Sequence, residues 1–170
     1  MVESEYAKAV FDLAKEEDNI EAFTTCFNAV IDTKTKEFTD ILVSPFIHKE
    51  EKKRIVDKVY HSLDETFLHF LYVLIDHNRF DKVNDIYKEY EKLVLKDNNI
   101  LRVKLISADE IKSKRLKEFK DTLENKYPNM KIEIINEINP NLIGGVQIIT
   151  DDASIDASVR GTLDKIRGSL

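Results

Sequence analysis

Residues 139–170, NPNLIGGVQIITDDASIDASVRGTLDKIRGSL, decide how the chain is read, and all of its glycines fall here. Asn139-Pro140-Asn141 is turn chemistry, with proline fixing one backbone angle and asparagine able to bond its own backbone. Gly144-Gly145 permits backbone angles closed to other residues, or a close approach of two segments. Val146 to Thr150 reads as a short strand, and Asp151-Asp152 as a second turn. Val159, Leu163, Ile166 and Leu170 recur at helical spacing and predict a closing helix, capped by Ser158 or Asp156.

Upstream of this stretch the apolar period is also that of a strand. From about Lys96-Asp97-Asn98-Asn99 onward, Leu101, Val103 and Leu105 alternate with Arg102 and Lys104, a strand with one wet face. Ser107 and Glu110 have the spacing of a capping box and predict a helix with the stripe Leu116, Phe119, Leu123 and Tyr127, ended by Pro128. Lys131 to Ile138 reads as a second strand with Ile132 and Ile134 inward. The order β-α-β-β-α predicts a small α/β domain over residues 99–170. Its core is small, so it is expected to lean on a partner or on the first domain.

Residues 1–98 are read as a compact antiparallel bundle of five to six helices, making the whole an α+β chain. A first helix over residues 4–17 carries Tyr6, Ala7, Ala9, Val10, Phe11, Leu13 and Ala14, an apolar arc of roughly 200° where one packing face needs about 100°. By itself that arc favours burial on several sides within the bundle. A second helix over 19–36 buries Ile20, Phe23, Phe27 and Val30, with Cys26 alongside as a small core hydrophobe. A short helix over 38–43 ends at Ser44-Pro45, because the residue before proline avoids helical angles. Residues 48–61 form a charged helix with Ile55, Val56, Val59 and Tyr60 on one face. FLHFLYVLI, residues 67–75, is apolar all round except for His69, so it is buried or faces something other than water. A last helix is marked by Phe80, Val83, Tyr87, Tyr90 and Val94. The first and fifth helices together carry more apolar surface than a bundle position requires. That pairing predicts a hydrophobic groove between them for a third helix from another protein.

Composition narrows the function classes. The chain has 170 residues, a net charge of −6 and one cysteine. The negative balance argues against a partner that needs a basic field, such as nucleic acid or an anionic membrane. One cysteine forbids an internal disulfide and fits a reducing compartment. No apolar run approaches the roughly 20 residues needed to span a bilayer. The start, MVESEYAKAVFDLAKEE, has neither a signal-peptide core nor transit-peptide character. A soluble, cytoplasmic, bacterial protein is expected.

Pro140, Leu142-Ile143-Gly144-Gly145, Ile155-Asp156, Ser158-Val159-Arg160 and Leu163 together resemble the C-terminal signature of the delta subunit of bacterial F-type ATP synthase, the family of the mitochondrial oligomycin-sensitivity-conferring protein. The family usually has glycine where this chain has Ala157. YAKAVFDLA, the run through ILVSPFI, and FLHFLYVLIDHNRFDKVNDIYKEYEKL resemble the family's N-terminal domain, so the likeness covers nearly the whole chain. The resemblance implies a non-catalytic stator subunit of a proton- or sodium-translocating enzyme, present once per complex at the cytoplasmic face of the membrane. It implies that residues 1–98 hold the N-terminal helix of an alpha subunit on the catalytic head. Residues 99–170 would hold the C-terminal ends of the b subunits of the peripheral stalk. No cofactor, nucleic acid or membrane insertion is expected. The contact residues expected for the alpha helix are Tyr6, Ala9, Val10 and Leu13 on the first helix, and Phe70, Leu71 and Leu74 on the fifth. The apolar run of the fifth does not itself tell which face points outward.

Catalytic patterns are weak throughout. Gly144-Gly145 lacks the lysine-bearing loop of a phosphate site and reads as a tight turn. Asp151, Asp152 and Asp156 lack calcium-loop spacing and read as a turn and a helix cap. His69 and His77 have no carboxylate or cysteine at metal-ligand spacing. No serine–histidine arrangement or isolated carboxylate pair is evident. Two other readings remain open at this level: a soluble regulatory adaptor binding the amphipathic helix of a partner outside any ATP synthase, and a small enzyme whose site does not show in the sequence.

Overall fold

The computed structural model describes residues 2–142 and 144–150, and the backbone of residues 154–158. The chain divides into two compact units, residues 1–94 and 95–170.

The first unit is helical: α1 Val2–Glu16, α2 Ile20–Thr33, α3 Lys36–Val43, α4 Lys49–Tyr60, α5 Glu65–Asp76, a single 3-10 turn Phe80–Lys82, and α6 starting at Val83 and running to Asp97. Local chemistry sets several boundaries. Thr35 caps α3 by accepting from the Phe38 N–H at 3.1 Å. Asp64 caps α5 by accepting from the N–H groups of Thr66 and Phe67, using donors the helix itself leaves free. After α1, α5 and α6 the chain turns through Asp18, Asn78 and Asn99, each at φ between 51° and 53°. Asp and Asn tolerate this left-handed region better than other non-glycine residues. The seam read from Phe80 onward is not one helix: the 3-10 turn holds Phe80, and α6 begins only at Val83.

The core of this unit centres on Phe27, which is fully buried. Its ring lies 4.8 Å from Phe67, 5.0 Å from Tyr90, 5.3 Å from Tyr87 and 5.7 Å from Phe70. Three helices are tied through one side chain in this way. Cys26 beside it is buried, and burial pushes its thiol above the ordinary value. Tyr60 and Tyr90 are buried with their hydroxyls satisfied. Tyr90 donates to the Ile20 carbonyl at 3.0 Å, and Thr33 donates to the Tyr60 oxygen at 3.1 Å. Burial raises both phenols above their ordinary value.

The second unit contains β1 Ile100–Ser107, α7 Ser113–Lys126, β2 Lys131–Ile138, β3 Gly145–Ile149 and β4 Ser154–Ser158. The sheet order is β2-β1-β3-β4. β1 runs parallel to β2 and antiparallel to β3, and β3 is antiparallel to β4. Val103, Leu105, Ile111 and Ile132 form its small core, with Leu116, Phe119, Leu123 and Ile134 packed on it. Gly145 sits at φ 83°, an angle open to glycine at little cost. Asn139 makes the anticipated turn, its Oδ1 accepting from the Asn141 N–H at 3.0 Å.

Two local expectations fail here. Ser107 opens no helix. It is the buried last residue of β1, paired in register with Ile138, and its hydroxyl donates to the Asp109 carbonyl at 2.6 Å. Helix α7 starts six residues later with Lys112 at its N-cap and no side-chain cap. The ladder between β1 and β2 claims Ser107 before a cap can. Asp156 and Ser158 are likewise not caps: both lie in β4, opposite Gln147 and Gly145. Pairing there satisfies the outer edge of β3, which outweighs a short polar cap signal. The Asp151-Asp152 turn, Ile143 and the closing helix expected over residues 159–170 lie outside the described residues.

Candidate docking surface

Helices α1 and α5 lie side by side and antiparallel. At one end the Thr66 hydroxyl donates to a Glu17 carboxylate oxygen at 2.9 Å. At the other, the Tyr6 and His77 rings are 6.4 Å apart. The Arg79 guanidinium sits 5.4 Å over the Tyr6 ring and donates to its hydroxyl.

Each helix carries two stripes. On α1, Ala7, Val10, Phe11 and Ala14 enter the core. Val2, Tyr6, Ala9 and Leu13 form a second stripe, about 120° round the helix at 100° per residue. Of these, Tyr6 is half-buried and the other three are exposed. On α5, Phe67, Phe70, Leu71, Leu74 and Ile75 enter the core. His69, Val73 and His77 are exposed on the side that the Thr66–Glu17 and His77–Tyr6 contacts turn toward α1. The result is a shallow valley. Tyr6, Ala9 and Leu13 form one wall and His69, Val73 and His77 the other, with Val10 and Phe70 at helical angles that place them in its floor.

The seven expected contact residues therefore separate. Tyr6, Ala9 and Leu13 reach the surface, and Leu13 is 40% exposed. Val10, at 1%, and Phe70 are buried beneath it, and Leu71 and Leu74 are fully buried in the bundle's own core. For Val10, Phe70, Leu71 and Leu74 the correction is one of role: they are side chains a docked helix would rest above. Val73, 43% exposed, was not anticipated. The signal was present, since His69, Val73 and His77 recur every four residues, and the histidines mark the wet side of an otherwise apolar helix.

Electrostatics differ along the valley. His77 and Arg79 stand at one end, and Glu17 and Glu65 at the other. Among the described residues no group of three or more His, Cys, Asp or Glu side chains is placed to hold a metal ion. No described helix is long and apolar enough to cross a membrane.

This construction, a helical bundle with an apolar valley on its outer side followed by a small mixed α/β unit, is that of a two-part scaffold. Residues 2–170 match the family model described as ATP synthase delta (OSCP) subunit, and the chain belongs to that family. It is 32% identical to ATP synthase subunit delta of Clostridioides difficile (strain 630), over all of this chain and 96% of that one. It is 34% identical to ATP synthase subunit delta of Protochlamydia amoebophila (strain UWE25), over 97% of this chain and 92% of that one. Among solved structures, a chain from the cryo-EM structure of the Toxoplasma gondii mitochondrial ATP synthase hexamer superposes with a TM-score of 0.70, covering 100% of this chain and 97% of that one. The sequence identity there is 16%, so that likeness speaks for the fold. Within the family this chain is a non-catalytic, structural subunit of the ATP synthase stator.

Proposed function

We propose that the bundle holds the N-terminal helix of an alpha subunit in the α1–α5 valley, and that residues 99–170 hold the b subunits of the peripheral stalk. The chain then keeps the catalytic head from turning with the rotor, in single copy, at the cytoplasmic face of the membrane. The observation that carries the reading is the second apolar stripe of α1 lying against the exposed side of α5. Each helix has already satisfied the core with its other face, so the outward stripe is free for an amphipathic partner.

The mechanical demand sets the strength required. Moving one charge across 100 mV is worth about 2.3 kcal/mol, and several ions pass per nucleotide. The joints must then withstand stored energy of order 10 kcal/mol, the range of tight, nanomolar-class binding. A peptide of the alpha N-terminus titrated into the full chain should shift the backbone NMR signals of Ala9, Leu13, His69 and Val73. The signals of α2 and α3 should stay in place. Saturating peptide with no response in α1 and α5 would remove the valley as the binding site. A regulatory adaptor outside the synthase predicts a different co-purification: the stator subunit comes away with alpha, beta and gamma subunits, and the adaptor does not.

A further inference from the structure

A second surface lies on the other unit. β2 is the outer strand of the sheet, and no described strand pairs with its far side. It is eight residues long, pairs with β1 in unbroken register from Lys131 to Ile138, and contains neither proline nor bulge. Proteins usually blunt such an edge with one of those devices. The Lys131 N–H donates to the Asn99 carbonyl and the Asn139 N–H to the Ser107 carbonyl, both at 2.8 Å. With a period of two along the strand, the odd-numbered backbone groups face β1. The N–H and C=O of Ile132, Ile134, Asn136 and Ile138 therefore point to the open side.

The charges around this edge are uneven. On the face away from α7, the carboxylates of β2 are already taken: Glu133 pairs with Arg102 at 2.9 Å, and Glu137 pairs with Lys104. That face also shows Ile135, 42% exposed. On the α7 side, Leu116, Ile132 and Ile134 floor a cavity of about 310 Å³ rimmed by Lys117, Lys120 and Asn136. Both lysines are exposed, and Lys120 reaches Glu124 only at 3.7 Å.

We propose that the open edge of β2 is a strand-addition site for an extended acidic segment of a partner protein. Alternate carboxylates of that segment meet Lys117 and Lys120, and the intervening apolar residues cover Ile135. Main-chain bonds to residues 132, 134, 136 and 138 supply the adhesion, and the two lysines select for acidic chains and set the register. This inference stands apart from the α1–α5 reading, since it involves the other unit and an extended partner.

The test uses the full chain and a short acetylated, amidated peptide of alternating glutamate and valine. Amide hydrogen exchange followed by NMR should show the odd-numbered β2 amides protected from the start. The amides of Ile132, Ile134, Asn136 and Ile138 should slow only when the peptide is added. Asn136→Pro removes an outward donor from an exposed position and leaves the ladder to β1 intact. It should weaken the peptide about tenfold or more, through one lost backbone bond and a steric block. The double change Lys117→Glu, Lys120→Glu alters only exposed side chains of α7, should weaken the peptide comparably, and carries the test if the proline variant melts early. A lysine–valine peptide should bind far more weakly than the glutamate–valine one. The proposal is overturned if the even-numbered amides are unaffected by peptide, or if the charge reversal leaves affinity unchanged. It is also overturned if the edge is occupied by a second copy of the chain that the peptide does not displace.

Discussion

Placing aspartate at two neighbouring positions of α1 separates the core from the docking surface. Val10 is 1% exposed, while Leu13, three residues on, is 40% exposed and lies on the second stripe. Val10→Asp removes a fully buried valine, about 1.5–3 kcal/mol. It also places a carboxylate among apolar neighbours at a cost of several kcal/mol more. Domain stability is about 5–15 kcal/mol, so this variant should be largely unfolded. Leu13→Asp leaves the free bundle almost untouched, since surface changes usually stay within about 0.5 kcal/mol. In the complex it forfeits the burial of the exposed part of a leucine, about 1 kcal/mol. Desolvating the new carboxylate adds about 1–3 kcal/mol. The expected loss is about 2–4 kcal/mol, a drop in affinity of roughly thirtyfold to several hundredfold. Calorimetric titration with the alpha N-terminal peptide measures it, and circular dichroism melting confirms the fold. A Leu13→Asp bundle that melts normally and binds the peptide within a factor of about three of the unmodified chain would refute the valley.

Phe27→Ala should cost about 3–5 kcal/mol, because its ring contacts four other aromatic rings in the core; denaturant melting reads this, and a loss under about 1 kcal/mol would contradict the packing. Raising pH should destabilise the bundle, because burial raises the folded-state values of Tyr60 and Tyr90 above 10.0. The stabilising contribution is complete below the ordinary tyrosine value and disappears as pH climbs through the raised ones; ultraviolet titration should show Tyr60 and Tyr90 ionising late, and early ionisation of both would contradict their burial. A chain ending at Asn98 should stay helical and bind the alpha peptide but not the stalk, as pull-down with b subunits would show; an unfolded product would contradict the first unit's independence.

The helices of the first unit were legible because their apolar residues recur at helical spacing and their ends carry Thr35, Asp64 and Asn78. What the sequence could not separate was the two stripes of an over-apolar helix. Tyr6 and Val10 share a side chemistry, and only the packing of α1 against its neighbours sends one to the surface and the other inward. On α5 the same ambiguity pointed to Phe70, Leu71 and Leu74, which the core takes, and away from Val73, which it leaves out. In the second unit the errors lie where two local signals compete. Ser107 is both a cap residue and a strand end, and Asp156 and Ser158 are both caps and alternating strand positions. Backbone pairing across the sheet decided each, and such pairing is invisible to a reading of neighbours along the chain.

The valley's own contribution limits what it can hold. Val2, Leu13 and Val73 are each about two-fifths exposed, so covering them completes the burial of little more than one large side chain, about 3 kcal/mol at most. That falls well short of the order of 10 kcal/mol the joint must withstand. The remainder must come from apolar anchors on the incoming helix, which pass from full exposure to full burial and contribute about 1.5–3 kcal/mol each. Affinity should accordingly be more sensitive to the partner than to this chain. Replacing one central leucine or isoleucine of the alpha peptide by alanine should cost more than replacing Leu13 or Val73 by alanine, in parallel titrations of the same preparation. If the two sets of losses came out equal, the valley would be a deeper receptor than its exposed side chains allow, and the bundle would have to open around the helix it receives.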